Sequence, residues 1–153
     1  MNNNNFLRKI YLSLKNSNIK NGDTLILGIS GGYDSTALLL GLANIKNLLK
    51  LKIIPVHLNH MLRGSESDRD EKFAKYIANR AGFKFISKSI DVKKKINNTN
   101  SVEEISRNIR YEFLQKVSEK YKANGILTGH TQNDQAETVL MNIIRGSGLK
   151  GIS

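Results

Sequence analysis

The chain has 153 residues, enough for one domain of ordinary size with a real core. Hydrophobic residues make up 39% and charged residues 24%, a globular and not a disordered balance. The lack of cysteine excludes disulfides, zinc–thiolate sites, iron–sulfur clusters and cysteine nucleophiles within these residues. The 24 Lys and Arg outnumber the 13 Asp and Glu, and the net charge of +11 favours a nucleic-acid partner; the many Asn, Lys and Ile residues also point to an AT-rich genome, which raises Lys without any binding role.

In chain order, apolar residues at 6, 7, 10, 11 and 14 have helical spacing, and the first helix is expected over about 4–17. Thr24 to Ile29 reads as a buried strand bounded by Gly22 and the Gly31-Gly32 pair. Ser35 to Asn47, rich in Leu and Ala, reads as a helix. Leu51 to Leu58 is a second strand in which Pro55 marks an irregularity. Ser65 to Ala81 is helical, with Ser65 and Ser67 as capping options and Gly82 as its stop. Lys84 to Ser87 is a short third strand, and residues 91–100 are a polar connection. Ser101 and Glu104 form a capping box that opens a helix to about Lys122. Gly125 to Gly129 is a fourth strand, and a last helix is expected from Asn133 or Asp134 to Ile144, broken by Gly146-Ser147-Gly148. Strands separated by helices imply an α/β fold, a parallel sheet with helices on both faces, and ligands beyond the carboxyl ends of its strands.

No run approaches the roughly 18 apolar residues of a membrane span. The start Met1-Asn2-Asn3-Asn4-Asn5 lacks the basic and apolar regions of a signal peptide. The expectation is a soluble, cytoplasmic protein with no membrane partner, or a stromal one if it belongs to a plastid.

The run Ser30-Gly31-Gly32-Tyr33-Asp34-Ser35 sits at a strand-to-helix junction. Gly31 and Gly32 let the backbone approach an anion, the following helix adds its positive end, and the Ser30 and Ser35 hydroxyls can donate to phosphate. Asp34 is repelled by phosphate unless a cation lies between, so a magnesium ion is its economical partner. A plain glycine turn capped by Asp34 or Ser35 is the alternative. The P-loop and the dinucleotide fingerprint are both excluded, because no Gly-Lys-Ser/Thr follows and Gly28, Gly31 and Gly32 have the wrong spacing.

Polar residues at the end of the second strand, His57, Asn59, His60 and Arg63, are candidate ligands for adenosine or RNA, or organisers of their loop. Asp134 and Glu137 share a helix face three residues apart, either as a cap or as an acidic pocket for a cationic substrate. Arg107 and Arg110 are likewise three apart, on a solvated face or, for Arg110 beside Tyr111, against phosphate or RNA.

The loop from Ser30 to Ser35 resembles the Ser-Gly-Gly-x-Asp-Ser signature of the PP-loop ATP pyrophosphatases, which cleave ATP between the α- and β-phosphates and pass AMP to a substrate oxygen. With Leu58 to Arg63, Arg107 to Tyr111, His130 to Thr138 and Arg145 to Leu149, the chain resembles the tRNA(Ile)-lysidine synthase family, whose motifs follow in this order. Asn133 departs from the family's usual Asp, which removes one carboxylate, and Thr131 stands where a second His is common.

The resemblance implies an adenine nucleotide alpha hydrolase-like, Rossmann-like domain over 1–153, with its core at about 23–150. The expected strand order is 3-2-1-4, with the fifth strand missing or beyond the end. It also implies ligation of free L-lysine to C2 of the wobble cytidine of an isoleucine tRNA, through an adenylated intermediate, with ATP and Mg2+. Asp34, Arg110 and His130 are the expected catalytic residues. Ser30, Gly31, Gly32, Tyr33, Asp34, Ser35 and His57 would bind ATP, Asp34 also holding the metal. Asp134 and Glu137 would bind lysine, and His60, Arg63, Arg107 and Arg145 would contact tRNA. A homodimer is left open. The stop just past a glycine-rich break reads as a fragment boundary. The rival readings are another PP-loop enzyme, such as a tRNA thiolase or an amide-forming synthetase, and a non-catalytic nucleotide- or RNA-binding fragment.

Overall fold

The structure, a computed structural model, describes residues 3–95, 101–131 and 139–144, with side chains over 5–95 and 101–129. Its elements are α1 (Asn3–Asn16), β1 (Thr24–Gly28), α2 (Tyr33–Ile45), β2 (Lys52–Asn59), α3 (Ser65–Arg80), β3 (Ile86–Ser89), one 3-10 turn (Val92–Lys95), α4 (Val102–Lys120), β4 (Gly125–Thr131) and β5 (Val139–Ile144). The sheet order is β3-β2-β1-β4-β5, and the expected 3-2-1-4 arrangement of four parallel strands holds.

Alternation along the strands sorts the core into two layers. Leu25, Leu27 and Ile53 point to the layer of α1, α2 and α3, where Leu14, Leu38, Leu39 and Leu42 are fully enclosed. Ile26, Ile54 and Val56 point to the other face and pack on Leu114 and Val117 of α4. Each such side chain contributes roughly 1.5–3 kcal/mol on burial. Both faces of β1 are therefore covered, as its unbroken apolar run requires.

Pro55 sits within β2 opposite Leu27. The carbonyl of Val56 accepts from the Ile29 N–H at 2.9 Å, so position 55 turns its backbone toward β3. The β3 ladder begins only at Val56↔Ile86, and the donor that proline lacks would have had no partner there.

Two expectations are corrected. The last helix is not formed over 139–144: these residues are β5, antiparallel to β4 from Thr131↔Val139 to Ile126↔Ile144. The sheet therefore has a fifth strand within the chain. Val139, Ile143 and Ile144 are β-branched and suit a pleated surface, and their pairing closes the open edge of β4. Residues 132–138, the first part of the expected helix, lie outside the described residues. At α3 neither serine caps the helix: Gly64 is the N-cap and has no side chain to cap with, and Ser67 Oγ instead accepts from the Arg63 N–H at 3.2 Å. The expected capping box at α4 does form, with Ser101 Oγ accepting from the Glu104 N–H at 3.1 Å.

Candidate active site

A cavity of about 320 Å³ opens beyond the carboxyl ends of β1, β2 and β4. Gly28, Ile29, Ser30 and Ser35 form one wall, and residues from Val56 to His60 form a second. Glu103, Ser106, Arg110 and Leu114 of α4 form a third, and Thr128 and Gly129 close the floor. The spacing of three, four and four residues along α4 presents that third set on a single helical face.

The glycine loop between β1 and α2 is built by its own short bonds. Ser35 Oγ donates to the Gly32 carbonyl at 3.0 Å and accepts from the Ser30 N–H at 3.2 Å; the Ser30 and Ser35 hydroxyls are 3.2 Å apart. Ser35, almost wholly buried, thus spends its proton within the loop, whereas Ser30 is exposed. Gly31 has φ +89°, and a Cβ there would stand 3.0 Å from both Cβ and O of Asp70 on α3. Only glycine lets this loop lie against that helix. Gly32 is the N-cap of α2, so the free N–H groups and the positive end of a 13-residue helix face the loop.

His57 is buried and its Nδ1 lies 2.8 Å from the Ile29 carbonyl. A carbonyl only accepts, so Nδ1 carries a proton in this bond. Asn59, which also lines the cavity, organises its loop. Its amide donates to Asp68 and Glu71, both at 3.0 Å, and its oxygen accepts from the Met61 N–H at 2.9 Å. Glu71 in turn accepts from Ser87 at 2.6 Å; that bond, more than any other contact, holds its carboxyl below the usual range.

His60, Arg110 and Thr128 are the unsatisfied members of the cavity lining. His60 Nδ1, Arg110 Nε and Thr128 Oγ1 are buried with no hydrogen-bond partner. Burial, followed by the charge of Arg110 and then by His57, pushes His60 down to about 4, so its ring is neutral at pH 7. Among the described residues no carboxylate lies within ion-pair distance of Arg110. A half-buried guanidinium on a cavity wall, with its Nε enclosed and no partner among the described residues, is arranged for an anionic ligand.

The structure brings Ser30, Ser35, His57, His60, Arg63 and Arg110 to one cavity. Arg63 stands at the rim, paired with Asp70 at 2.7 Å. Gly31, Gly32, Tyr33 and Asp34 shape the loop without lining the cavity; Tyr33 is fully exposed, and Asp34 is half-buried in the first turn of α2. Arg107 does not reach the cavity: it is exposed, with its guanidinium 5.8 Å from the centre of the Tyr111 ring. The side chains of His130, Asp134, Glu137 and Arg145 lie outside the described residues. Sequence reasoning gave Thr128 no role. The signal was present, since it is the polar residue that ends the apolar run Ile126-Leu127, the rule that picked out His57.

A family model described as a PP-loop domain matches residues 2–153. The tRNA(Ile)-lysidine synthase of Clostridioides difficile (strain 630) is 44% identical over 139 residues, 90% of this chain and 30% of that protein. That of Chlorobaculum tepidum is 37% identical over 135 residues, 88% of this chain and 41% of that protein. The chain thus spans less than half the length of these curated relatives. Among solved structures, the U34-tRNA thiolase NcsA from Methanococcus maripaludis matches with a TM-score of 0.71 at 21% identity, covering 84% of this chain and 44% of that one. The NH3-dependent NAD synthetase from Campylobacter jejuni matches with a TM-score of 0.61 at 16% identity, covering 87% and 58%. At these identities the likeness is one of fold. The glycine loop on a helix N-terminus, the 3-2-1-4 parallel sheet and a family match over nearly every residue agree: the chain belongs to the PP-loop domain family.

Proposed function

We propose that this chain is the ATP-binding, adenylating part of a cytoplasmic tRNA(Ile)-lysidine synthase, a carbon–nitrogen ligase. The observation that carries the reading is the cavity that Arg110, without a partner among the described residues, lines together with the glycine loop, in a chain 44% identical to such a synthase over 90% of its length.

In this reading O2 of the wobble cytidine attacks the α-phosphorus of ATP, the bond to the β-phosphate breaks, and pyrophosphate leaves. The amine of free L-lysine then attacks C2, loses a proton, and AMP leaves. Backbone N–H groups of the glycine loop hold the phosphates, and Arg110 absorbs charge that develops on them. His57 Nε2 accepts from the nucleoside, and neutral His60 contacts the base delivered by the tRNA. His130 takes the amine proton, Asp134 and Glu137 hold the lysine cation, and Arg63, Arg107 and Arg145 contact the tRNA.

The donor set fits a magnesium ion that arrives with ATP. Asp34 has no hydrogen-bond or ion-pair partner among the described residues, and among these no cluster of three or more metal-ligating side chains forms. Magnesium is commonly held by one or two carboxylates plus the substrate's phosphates. When bound, it neutralises charge on the leaving pyrophosphate.

Among the described residues no helix is long and apolar enough to cross a membrane. The test is AMP release by the full-length protein with ATP, isoleucine tRNA and each amino acid in turn. Release that needs both this tRNA and lysine is expected; release only with a sulfur donor or another acceptor would assign the chain to a different PP-loop activity.

A further inference from the structure

Three lysines converge on the free edge of the sheet, away from the cavity. Lys88 of β3 has its ammonium 5.9 Å from the centre of the Phe113 ring on α4. Lys84, just before β3, and Lys120, the last residue of α4, share the Tyr121 ring at 5.5 and 5.8 Å. All three lysines are exposed, and among the described residues none pairs with a carboxylate. Tyr121 lies eight residues after Phe113, so the two rings stand about 12 Å apart along the helix axis. Lys88 is in register with Leu58, and Phe113 precedes Leu114; both partners line the cavity. The row therefore starts level with the cavity and runs down the edge from it.

Lysines on an edge strand also prevent sheets from pairing edge to edge. That role explains Lys84 and Lys88. It does not explain why Lys120, from a helix, joins a like charge over one ring. Ring faces stabilise each cation but leave its charge uncompensated, and a phosphate would compensate it.

We propose that the β3 edge is an RNA track, on which Lys88, Lys84 and Lys120 hold the phosphodiester backbone of an RNA whose reacting base lies in the cavity. The proposal rests on the tRNA reading above. Its test is binding of isoleucine tRNA to the full-length protein over a salt series, for the parent and for K84Q/K88Q/K120Q. Each lost phosphate contact lowers the slope of log affinity against log salt by about 0.7–0.9, so the triple variant should lose about 2–3 in slope and at least about tenfold in affinity near 0.1 M salt. ATP binding and the thermal midpoint should hold, and K84R/K88R/K120R, which keeps charge and stacking, should bind as the parent does. Unchanged affinity and slope in the glutamine variant, with tRNA still bound, would overturn the track and leave the activity standing. A parent that binds no tRNA would overturn both. An unchanged slope with altered self-association would make the edge a protein contact instead.

Discussion

Asp34 in the first turn of α2 and His60 on the cavity wall show how differently two ionisable groups are placed. Asp34 is half-buried and unpartnered among the described residues, so its removal leaves no orphaned group. Asp34→Ala is expected to abolish AMP release while shifting the thermal midpoint little, and full activity in that variant would refute its metal-holding role. His60 is held to about 4 against its ordinary 6.5. Between those values the unfolded chain binds the proton and the folded chain does not. Stability is therefore full above about pH 6.5 and falls as pH drops toward 4. Urea midpoints measured at pH 7 and pH 5 should drop in the parent, and His60→Gln should flatten that drop. His57, Asn59, His60 and Arg63 were all legible as polar residues ending a buried strand. Their division into loop organiser and cavity wall was not, because it depends on Asp68, Glu71 and Arg110, which other helices supply.

At the scale of elements, the contact between the glycine loop and α3 is the most demanding one. A methyl at position 31 meets both a left-handed backbone and the Asp70 main chain, neither of which yields cheaply. Gly31→Ala should cost about 1–3 kcal/mol in urea unfolding and weaken ATP binding, because relief requires moving the loop off α3. Loss of stability alone, with nucleotide affinity intact, would separate this loop from the ligand. Element types were readable where local chemistry is decisive: the Ser101 cap, the apolar run of β1 and the amphipathic α1. The strand β5 was not, since Val139 to Ile144 is a short apolar run that periodicity cannot assign, and the open edge of β4 decides it.

For the whole molecule, the cavity gathers residues from β1, β2, β4, α2 and α4, so a bound nucleotide ties together elements that cover both faces of the sheet. A ligand that binds only the folded state raises stability by about 2.7 kcal/mol at a hundredfold excess over its Kd. ATP with magnesium should accordingly raise the thermal midpoint of the parent. Arg110→Ala should lose most of that rise while largely keeping the ligand-free midpoint, because among the described residues the guanidinium has no hydrogen-bond or ion-pair partner to forfeit. A full rise in that variant would remove Arg110 from the phosphate site.

The sequence by itself determined the α/β class and the glycine loop, and its motifs carried the resemblance that implied the family and the order of four parallel strands. These rest on periodicity, turn chemistry and short motifs, which act within a few residues of themselves. Only the tertiary structure decided that Arg107 leaves the cavity while Arg110 enters it, that Asn59 is spent on α3, and that Thr128 joins the wall. Each of those outcomes depends on which helix covers which face of the sheet, and neighbours distant in the chain set that by excluding water from one side of a residue and leaving it on the other.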